Sequence, residues 1–393
     1  MKTINTISIG LISLLFSVTS MSAAEPSPNA APTNGWKNIT AELAKTIGTD
    51  PNDGKTRKWN EFPNFQGMLV LPNGDVGALS YKGLYRSTDQ GATWAKWGED
   101  WMKGLAQVSV ALKIYYPDRI GLTMDGPIAV SADLGKSWVR ITSPKVLITY
   151  KRDKPSMGDI NVTHGDMDLA ANMPPKVIVG AVHHGDLAGG SFVQTTDGGA
   201  TWDWAAPALK GVGGPGGNGW FRFGVVNPTT LLYRSNNKND ERSTGIHLST
   251  DLGQNWTKVS DYTPIGLTVV HYGPNMYWAA TEGVVVSRDG GKTWSICGSP
   301  IKNIHYGPYF GRSEREMMVV SASEGYFVTR DGGTTWTRVA AYFAPPDGKE
   351  LDGNDKRGIH RYYGWDSEKN ILYRSDFKGN VWKLQLGATP AAK

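Results

Sequence analysis

The chain has 393 residues, among them 48 Gly, 22 Pro, 15 Trp and 16 Tyr, and 20% of its residues are charged. This balance is typical of many short strands joined by tight turns, and it excludes a coiled coil, a helical bundle and a disordered chain. The net charge is +5, but no Lys/Arg run is interleaved with aromatic residues, so the charge pattern argues against nucleic-acid binding.

The first 24 residues have the pattern of a secretory signal peptide. Lys2 precedes the apolar run Ile7–Val18, and Ser22-Ala23-Ala24 fits the rule for a signal-peptidase site. The apolar run has about 12 residues, too few for a membrane span of about 20. We therefore expect cleavage after Ala24 and a soluble mature protein that is secreted or periplasmic. Residues 25–50 are predicted as an N-terminal linker, 51–387 as the folded domain and 388–393 as a C-terminal tail.

An eight-residue motif that ends in Trp recurs along the rest of the chain. The first copy is Ser87-Thr-Asp89-Gln-Gly91-Ala-Thr93-Trp94, and further copies end at Trp138, Trp202, Trp256, Trp294, Trp336 and Trp382. The copy that ends at Trp382 has Phe377 where the others have Asp. In a hairpin turn, Asp accepts hydrogen bonds from backbone N–H groups, Gly supplies a positive φ, and Trp covers the turn. Each copy is therefore predicted to be a structural hairpin and not a catalytic site.

The spacing of the motif predicts the architecture. Successive motif tryptophans are 44, 64, 54, 38, 42 and 46 residues apart, close to the roughly 40–50 residues of a four-stranded propeller blade. Seven copies predict an all-β fold, a single seven-bladed β-propeller. The motif resembles the Asp-box (bacterial neuraminidase) repeat, and the resemblance extends over residues 59–386. That superfamily includes sialidases, xyloglucanases, sortilin-like receptors, a photosystem assembly factor and polysaccharide lyases, so the resemblance implies the fold more strongly than the chemistry.

One face of the predicted propeller collects most of the candidate functional residues. If each blade runs as strands A to D from the axis outward, the Asp boxes at the C–D turns lie on one face, which we call the lower face. The starts of the A strands and the B–C loops lie on the opposite, upper face, where the resemblance places ligands. The candidates expected there are His164, His183, His184, Trp220, Arg222, Arg234, His305, Tyr306, His360 and Arg361.

The third blade contains two similar short motifs, each with the sequence His-Gly-Asp. Val162-Thr-His164-Gly-Asp166-Met-Asp168 and Val182-His183-His184-Gly-Asp186 should meet at one edge of neighbouring antiparallel strands. These His and Asp side chains either form a site or merely cap loops and pair with each other. A transition-metal site is disfavoured because no compact ligand spacing such as HExxH occurs. We expect no required cofactor, with a structural Ca²⁺ held by upper-face carboxylates or axial carbonyls left open.

The preferred functional interpretation is a polysaccharide lyase that acts on a uronate-containing glycan. β-Elimination needs a base, an acid for the leaving oxygen and a group that neutralises the carboxylate. The candidate catalytic residues are His164, His184 and Tyr306. The residue types look like those of seven-bladed lyases of this superfamily, which implies that His and Tyr act as base and acid. The candidate substrate-binding residues are His183, Trp220, Arg222, Arg234, His305, His360 and Arg361.

Two alternatives stay open at this point. A two-carboxylate glycoside hydrolase could pair Asp166 or Asp168 with Asp125, Glu282 or Glu324, whereas the absence of an Arg-Ile-Pro phrase argues against a sialidase. A non-catalytic propeller that binds a glycan or a protein would use the aromatic residues Trp220, Tyr306, Tyr362 and Tyr363 to stack on sugar rings or to anchor a peptide. The expected partner is an anionic oligo- or polysaccharide, and we expect a monomer that binds neither nucleic acid nor membrane.

Overall fold

The computed structural model describes residues 35–48, 65–80, 82–102, 111–123, 128–142, 145–148, 156–159, 162–182, 192–204, 222–235, 240–266, 269–321, 323–343, 363–375 and 380–387. Within these residues the chain forms seven antiparallel four-stranded sheets, one two-stranded sheet and one α-helix. The prediction of an all-β seven-bladed propeller is confirmed.

The first three blades follow a short N-terminal strand and a helix. The chain begins with β1 (Lys37–Asn38) and α1 (Thr40–Ile47). Blade 1 contains β2 (Phe65–Val70), β3 (Val76–Ser80), β4 (Gly83–Ser87) and β5 (Ala95–Lys96). Blade 2 contains β6 (Ala111–Tyr115), β7 (Arg119–Thr123), β8 (Ile128–Ser131) and β9 (Val139–Ile141). The two-stranded sheet of β10 (Lys145–Ile148) and β11 (Ser156–Asp159) precedes blade 3, which contains β12 (Val162–Met167), β13 (Ile178–Val182), β14 (Phe192–Thr195) and β15 (Asp203–Trp204).

The remaining blades follow the same order. Blade 4 contains β16 (Arg222–Asn227), β17 (Thr230–Arg234), β18 (Ile246–Ser249) and β19 (Thr257–Ser260). Blade 5 contains β20 (Val270–Tyr272), β21 (Asn275–Ala280), β22 (Gly283–Ser287) and β23 (Ser295–Ile296). Blade 6 contains β24 (Tyr306–Phe310), β25 (Met317–Ser321), β26 (Gly325–Thr329) and β27 (Thr337–Ala340). Blade 7 contains β28 (Tyr363–Asp366), β29 (Ile371–Ser375), β30 (Val381–Gln385) and, as its outermost strand, β1.

The N-terminal strand closes the ring of blades. Lys37 and Asn38 pair with Lys383 and Trp382 of β30, and the backbone N–H of Ile39 donates to the carbonyl of Val381 over 2.8 Å. Helix α1 buries Leu43 and Ile47, spaced four residues apart as one face of a helix requires, against β2 and β3. Residues 35–48, predicted as part of a linker, therefore belong to the propeller, and the linker boundary moves toward residue 35.

Six Asp boxes lie where the sequence predicts them, at the turn between the third and fourth strands of blades 1–6. In the first box, Ser87 Oγ donates to Asp89 Oδ1 over 2.8 Å and accepts from Gly91 N over 2.7 Å. Thr93 donates to both oxygens of Asp89, from its backbone N over 2.8 Å and from its hydroxyl over 2.6 Å. The turn is therefore stabilised by its own side chains.

The seventh predicted box is wrong, although the number of blades is right. The segment from Ser375 to Trp382 connects β29 with β30, the second and third strands of blade 7, and not a third strand with a fourth. Trp382 is a buried residue of β30 whose ring packs against Phe343. Blade 7 has no box turn between its third and fourth strands because its fourth strand, β1, comes from the other end of the chain.

The axis of the propeller is closed near the lower face. Around the axis, contacts join the first strands of blades 1 and 2, 2 and 3, 3 and 4, 6 and 7, and 7 and 1. Across the axis, Tyr116 of blade 2 and Tyr272 of blade 5 form an isolated parallel β-bridge. The backbone N–H of Tyr116 donates to the carbonyl of His271 over 3.0 Å, and the backbone N–H of Gly273 donates to the carbonyl of Tyr116 over 2.8 Å. The Phe310 ring lies 5.1 Å from each of the two tyrosine rings. Residues of blades 2, 5 and 6 are therefore in contact at the lower end of the described part of the axis.

Candidate functional site

The predicted site residues divide into those that the structure describes and those that it does not. His183, His184, Trp220, His360 and Arg361 lie outside the described residues, and His164 is described only by its place in β12. Val162 pairs with Val182 and His164 with Ala181, so the first of the two motifs runs antiparallel to the strand that ends at Val182, where the second motif begins. This register brings His164 to the edge of the sheet from which the chain continues to His183.

Arg222 and Arg234 form a pair at the upper edge of blade 4. They are directly opposite each other in the register of β16 and β17, and cross-strand partners have neighbouring side chains. Arg222 Nε donates to the carbonyl of Ile265 over 2.8 Å, and Arg234 Nη1 donates to the carbonyl of Pro264 over 2.6 Å. Two guanidinium groups are thus held side by side by consecutive carbonyls of the segment that precedes blade 5.

The electrostatics of this arginine pair suit an anion. Burial, together with the nearby charge of Arg234, lowers the pKa of Arg222 to about 10. Burial also lowers the pKa of Arg234, although the charge of Glu282 opposes this shift. An anionic group placed between the two guanidinium groups would relieve their repulsion, and a planar carboxylate matches the fork of N–H donors that Arg presents.

His305 and Tyr306 form a second group at the upper edge of blade 6. The exposed His305 immediately precedes β24 and the half-buried Tyr306 begins it; their ring centroids are 6.3 Å apart. The Tyr306 ring lies 4.9 Å from that of Tyr363, at the start of β28. The structure therefore joins the predicted residues in two pairs, on the upper edges of two blades that flank blade 5.

The aromatic layer behind Tyr306 encloses an arginine that the sequence does not mark as buried. Arg374 lies in β29 and is fully buried, with its guanidinium over the rings of Tyr342, Phe343 and Tyr363. Arg374 also donates to the carbonyl of Phe343. Tyr363 is only 2% exposed, so the prediction of an exposed aromatic platform is wrong at this position.

The carboxylates that a hydrolase would need in blade 3 are engaged in the core. Asp166 is fully buried, accepts from Lys113 Nζ over 2.6 Å, from Val225 N over 2.9 Å and from the Tyr115 hydroxyl. Asp168 is equally buried and accepts from Val177 N over 2.9 Å and from Asn172 Nδ2 over 2.5 Å. Both carboxylates have a structural role, because they accept hydrogen bonds from within the protein and are not exposed to a substrate. This argues against a hydrolase that uses Asp166 or Asp168 as one of its two carboxylates.

The other carboxylates considered for hydrolysis hold upper loops. Glu282 Oε2 accepts from Thr263 N over 3.1 Å, and Glu324 Oε1 accepts from Asn303 Nδ2 over 3.1 Å. Asp125 lies outside the described residues. In the described part of the chain, no group of three or more His, Cys, Asp or Glu side chains could hold a metal ion. Nor does any described helix have the length and apolar character to cross a membrane.

Sequence reasoning named Asp166 but missed the three residues that meet it near the axis. Lys113 and Tyr115 of β6, Asp166 of β12 and His271 of β20 come from three blades, and we call these four residues the axial cluster. The only sequence signal is a polar residue in the middle of an apolar strand, as in Ala111–Tyr115 and Val270–Tyr272. That signal does not reveal which strands become neighbours.

Comparison with known protein families supports the repeat. The model of the BNR/Asp-box repeat matches residues 285–295, within blade 5. No curated protein matches the sequence. Among solved structures, the chain is similar to YCF48 from Cyanidioschyzon merolae at 13% identity, covering 89% of this chain and 98% of that one with a TM-score of 0.37.

Two carbohydrate-active proteins are also among the similar structures. The GH74 xyloglucanase from Xanthomonas campestris is 13% identical, with 81% of this chain and 62% of that one covered and a TM-score of 0.25. An oligogalacturonate lyase in complex with manganese is 9% identical, with 83% and 90% covered and a TM-score of 0.44. At these identities and TM-scores the similar structures carry no conclusion about the activity of this chain.

Proposed function

We propose that the protein is an exported carbohydrate-active enzyme, a polysaccharide lyase that cleaves a uronate-containing glycan by β-elimination. The observation that carries the proposal is the arginine pair, Arg222 and Arg234, whose fixed and mutually repelling charges suit a substrate carboxylate. Neutralising this carboxylate makes the adjacent C–H proton easier to remove, because the negative charge that develops in the transition state is then stabilised.

The remaining roles are assigned from the residue types that the sequence predicts on the same face. His164 or His184 acts as the base that removes the proton, and Tyr306 or the other histidine protonates the leaving oxygen. Arg222, with His360 and Arg361, holds the carboxylate. His305 lies beside Tyr306 and His183 beside His184 in the sequence, where they and Arg234 bind substrate, while Trp220 stacks on a sugar ring.

A lyase is preferred over a two-carboxylate hydrolase because of Asp166 and Asp168. A hydrolase needs one carboxylic acid and one carboxylate that reach the substrate, whereas both of these side chains are fully buried and hydrogen-bonded within the protein. A purely binding propeller is less favoured because Tyr363, one of its expected aromatic contacts, is buried.

The test is to incubate the purified protein with a panel of uronate glycans and to record both ultraviolet absorbance and new reducing ends. A lyase produces an unsaturated uronate that absorbs in the ultraviolet together with each new reducing end. New reducing ends without this absorbance would identify a hydrolase. Binding without either product would identify a non-catalytic propeller.

A variant test addresses the arginine pair. Arg222→Gln and Arg234→Gln should each lower kcat/KM on the uronate substrate at least about tenfold, the effect of losing one charge-assisted hydrogen bond. Arg119→Gln is a matched control, because Arg119 also donates to carbonyls, those of Leu169 and Ala170, but at the lower end of β7. Equal activity of all three variants would contradict the assignment of the carboxylate site.

A further inference from the structure

One short segment of backbone holds both members of the arginine pair. The carbonyl of Pro264 accepts from Arg234 Nη1 over 2.6 Å. The next carbonyl, that of Ile265, accepts from Arg222 Nε over 2.8 Å. We call residues 263–266, which precede blade 5, the anchor segment. Because a hydrogen bond requires its N–H group to point at the acceptor, the position of the anchor segment sets the direction of both guanidinium groups.

The middle and the far end of the anchor segment are bound to β21, the second strand of blade 5. Pro264 forms an antiparallel bridge with Ala280. The fully buried Trp278 donates its Nε1–H to the carbonyl of Gly266 over 2.9 Å. These contacts leave the near end of the segment, at Thr263, as the part that depends on other groups.

The near end of the anchor segment is held in part by a carboxylate. Thr281 N donates to the carbonyl of Thr263 over 3.0 Å. Thr263 N in turn donates to Oε2 of Glu282 over 3.1 Å, and Glu282 is half-buried in the loop between β21 and β22. Since Thr263 immediately precedes Pro264, only two residues of backbone connect this carboxylate with the carbonyl that holds Arg234.

Glu282 also acts on the arginine pair through its charge. The charge of Glu282 opposes the effect of burial, which lowers the pKa of Arg234. Two guanidinium groups and one carboxylate together carry a single net positive charge. Because like charges repel, the negative charge of Glu282 weakens the attraction of the pair for a further anion. The hydrogen bond and the charge of Glu282 therefore affect anion binding in opposite directions.

Resting on the proposed function, we propose that Glu282 is a positioning residue that sets the affinity of the arginine pair for a substrate carboxylate. Its hydrogen bond to Thr263 fixes the anchor segment and so strengthens binding, whereas its negative charge limits the strength of that binding. Neither effect requires contact between Glu282 and the substrate. A carboxylate that only stabilised its loop would change the free energy of unfolding and leave the affinity of the folded protein unchanged.

The test compares Glu282→Gln with Glu282→Met by calorimetric titration with trigalacturonate, a rhamnose–glucuronate oligosaccharide and an ulvan oligosaccharide. Both variants lack the charge, but only Gln has an oxygen that can accept from Thr263 N. Glu282→Gln should lower the Kd of the bound oligosaccharide about threefold at low ionic strength, because a repelling charge is removed. Glu282→Met should bind about tenfold more weakly than Glu282→Gln, because the hydrogen bond is lost as well.

Glu316 provides the matched control. Its carboxylate also accepts from a backbone N–H, that of Arg312 over 3.0 Å, and it also lies beside an arginine, Arg330. It belongs to the connection between the first two strands of blade 6, on the lower face. Glu316→Gln and Glu316→Met should therefore bind with the Kd of the wild type. Changes of the same size at Glu316 and Glu282 would overturn the inference, because the arginine pair would then not be their cause.

A second measurement needs no ligand. In protein with isotope-labelled arginine, the Nε–H signal of Arg222 is assigned by its loss in Arg222→Gln. Its hydrogen exchange should be at least about tenfold faster in Glu282→Met than in Glu282→Gln, because the bond to the Ile265 carbonyl opens more often. Equal exchange rates in the two variants would overturn the inference. If the exchange rates differ but the wild type binds none of the oligosaccharides, the proposed function fails and the positioning role of Glu282 stands.

Discussion

Aspartate carboxylates have two roles in this protein: some accept hydrogen bonds from residues of the same turn, and Asp166 accepts them from the two neighbouring blades. In a box, Asp133 Oδ1 accepts from Ser137 N over 2.9 Å and from Ser131 Oγ over 2.8 Å, all within seven residues of sequence. Asp166 instead takes its partners from β6 and β16, in the two neighbouring blades. The box carboxylates therefore stabilise single turns, and Asp166 stabilises the arrangement of blades.

The ion pair between Lys113 and Asp166 should show the cost of an unpaired buried charge. Lys113→Met should lower the free energy of unfolding by about 3–5 kcal/mol, because it leaves Asp166 without its cation. Adding Asp166→Asn should recover a large part of that loss, because both charges are then gone. Urea unfolding followed by circular dichroism measures both values.

A surface pair provides the control for this prediction. Lys96 and Asp100 form an ion pair whose side chains are much more exposed, and exposed pairs contribute about 0–1 kcal/mol. Lys96→Met should therefore change the free energy of unfolding by less than about 1 kcal/mol. A double variant at Lys113 and Asp166 that is less stable than the single variant would contradict the argument.

At the scale of the element, the box hairpins should make the protein sensitive to acid. Hydrogen bonds from Thr201 and Thr195 lower the pKa of Asp197 to about 2, and bonds from Asn255 and Ser249 do the same for Asp251. For Asp133, burial acts in the opposite direction, but bonds from Ser137 and Ser131 outweigh it and lower the pKa to about 2. The same direction holds for Asp89, Asp289 and Asp331.

The sign of the pH effect follows from these shifts. Each folded-state pKa lies below the ordinary value of 3.8, so between about pH 4 and pH 2 the unfolded chain binds more protons than the folded protein. The stabilisation is complete above the unfolded pKa and is lost as the pH falls through the folded pKa. The urea midpoint should therefore fall between about pH 5 and pH 2, less steeply in Asp133→Asn than in the wild type. A constant midpoint would contradict this expectation.

The N-terminal strand gives a second prediction at this scale. Deleting residues 25–48 from the mature protein removes β1 and α1 and should lower the Tm strongly, because blade 7 loses its outermost strand and Val381 N loses its bond to Thr40 Oγ1, 2.8 Å long. Deleting residues 25–34 leaves both elements in place and should not change the Tm. Equal Tm values for the two truncated proteins would show that β1 does not close the ring.

Sequence patterns predict the elements that are encoded locally and miss those that depend on distant partners. The six boxes are recognisable because Ser, Asp, Gly and Thr bond within one turn, as in Ser87–Trp94. The closure of blade 7 is not recognisable in the sequence. The strand that closes it, β1, consists of only two exposed residues, Lys37 and Asn38, and nothing in these residue types indicates that they pair with β30. The axial cluster is missed for the same reason, since Lys113 meets Asp166 only after the blades assemble.

At the scale of the whole molecule, the hydrophobic core is continuous across the axis. One cluster of buried residues contains Leu69 of blade 1, Ile120 of blade 2, Ala279 of blade 5 and Val319 of blade 6. Blades 2 and 5 are not neighbours around the ring, yet their inner strands are hydrogen-bonded at Tyr116 and Tyr272. The two halves of the propeller are therefore joined in the middle as well as around the ring.

This cross-axis core predicts that the propeller unfolds as one unit. Urea unfolding followed by tryptophan fluorescence and by circular dichroism should give a single coincident transition. Phe310→Ala removes the ring that packs on Tyr116, Tyr272 and Tyr277, and it should cost about 3–5 kcal/mol and separate the two transitions. Phe223→Ala is the matched control, because Phe223 is a buried ring within the cluster of blades 3 and 4. Phe223→Ala should lower the urea midpoint and leave the slope m unchanged. If the two transitions separate in Phe223→Ala and not in Phe310→Ala, the propeller comes apart between neighbouring blades and not across the axis.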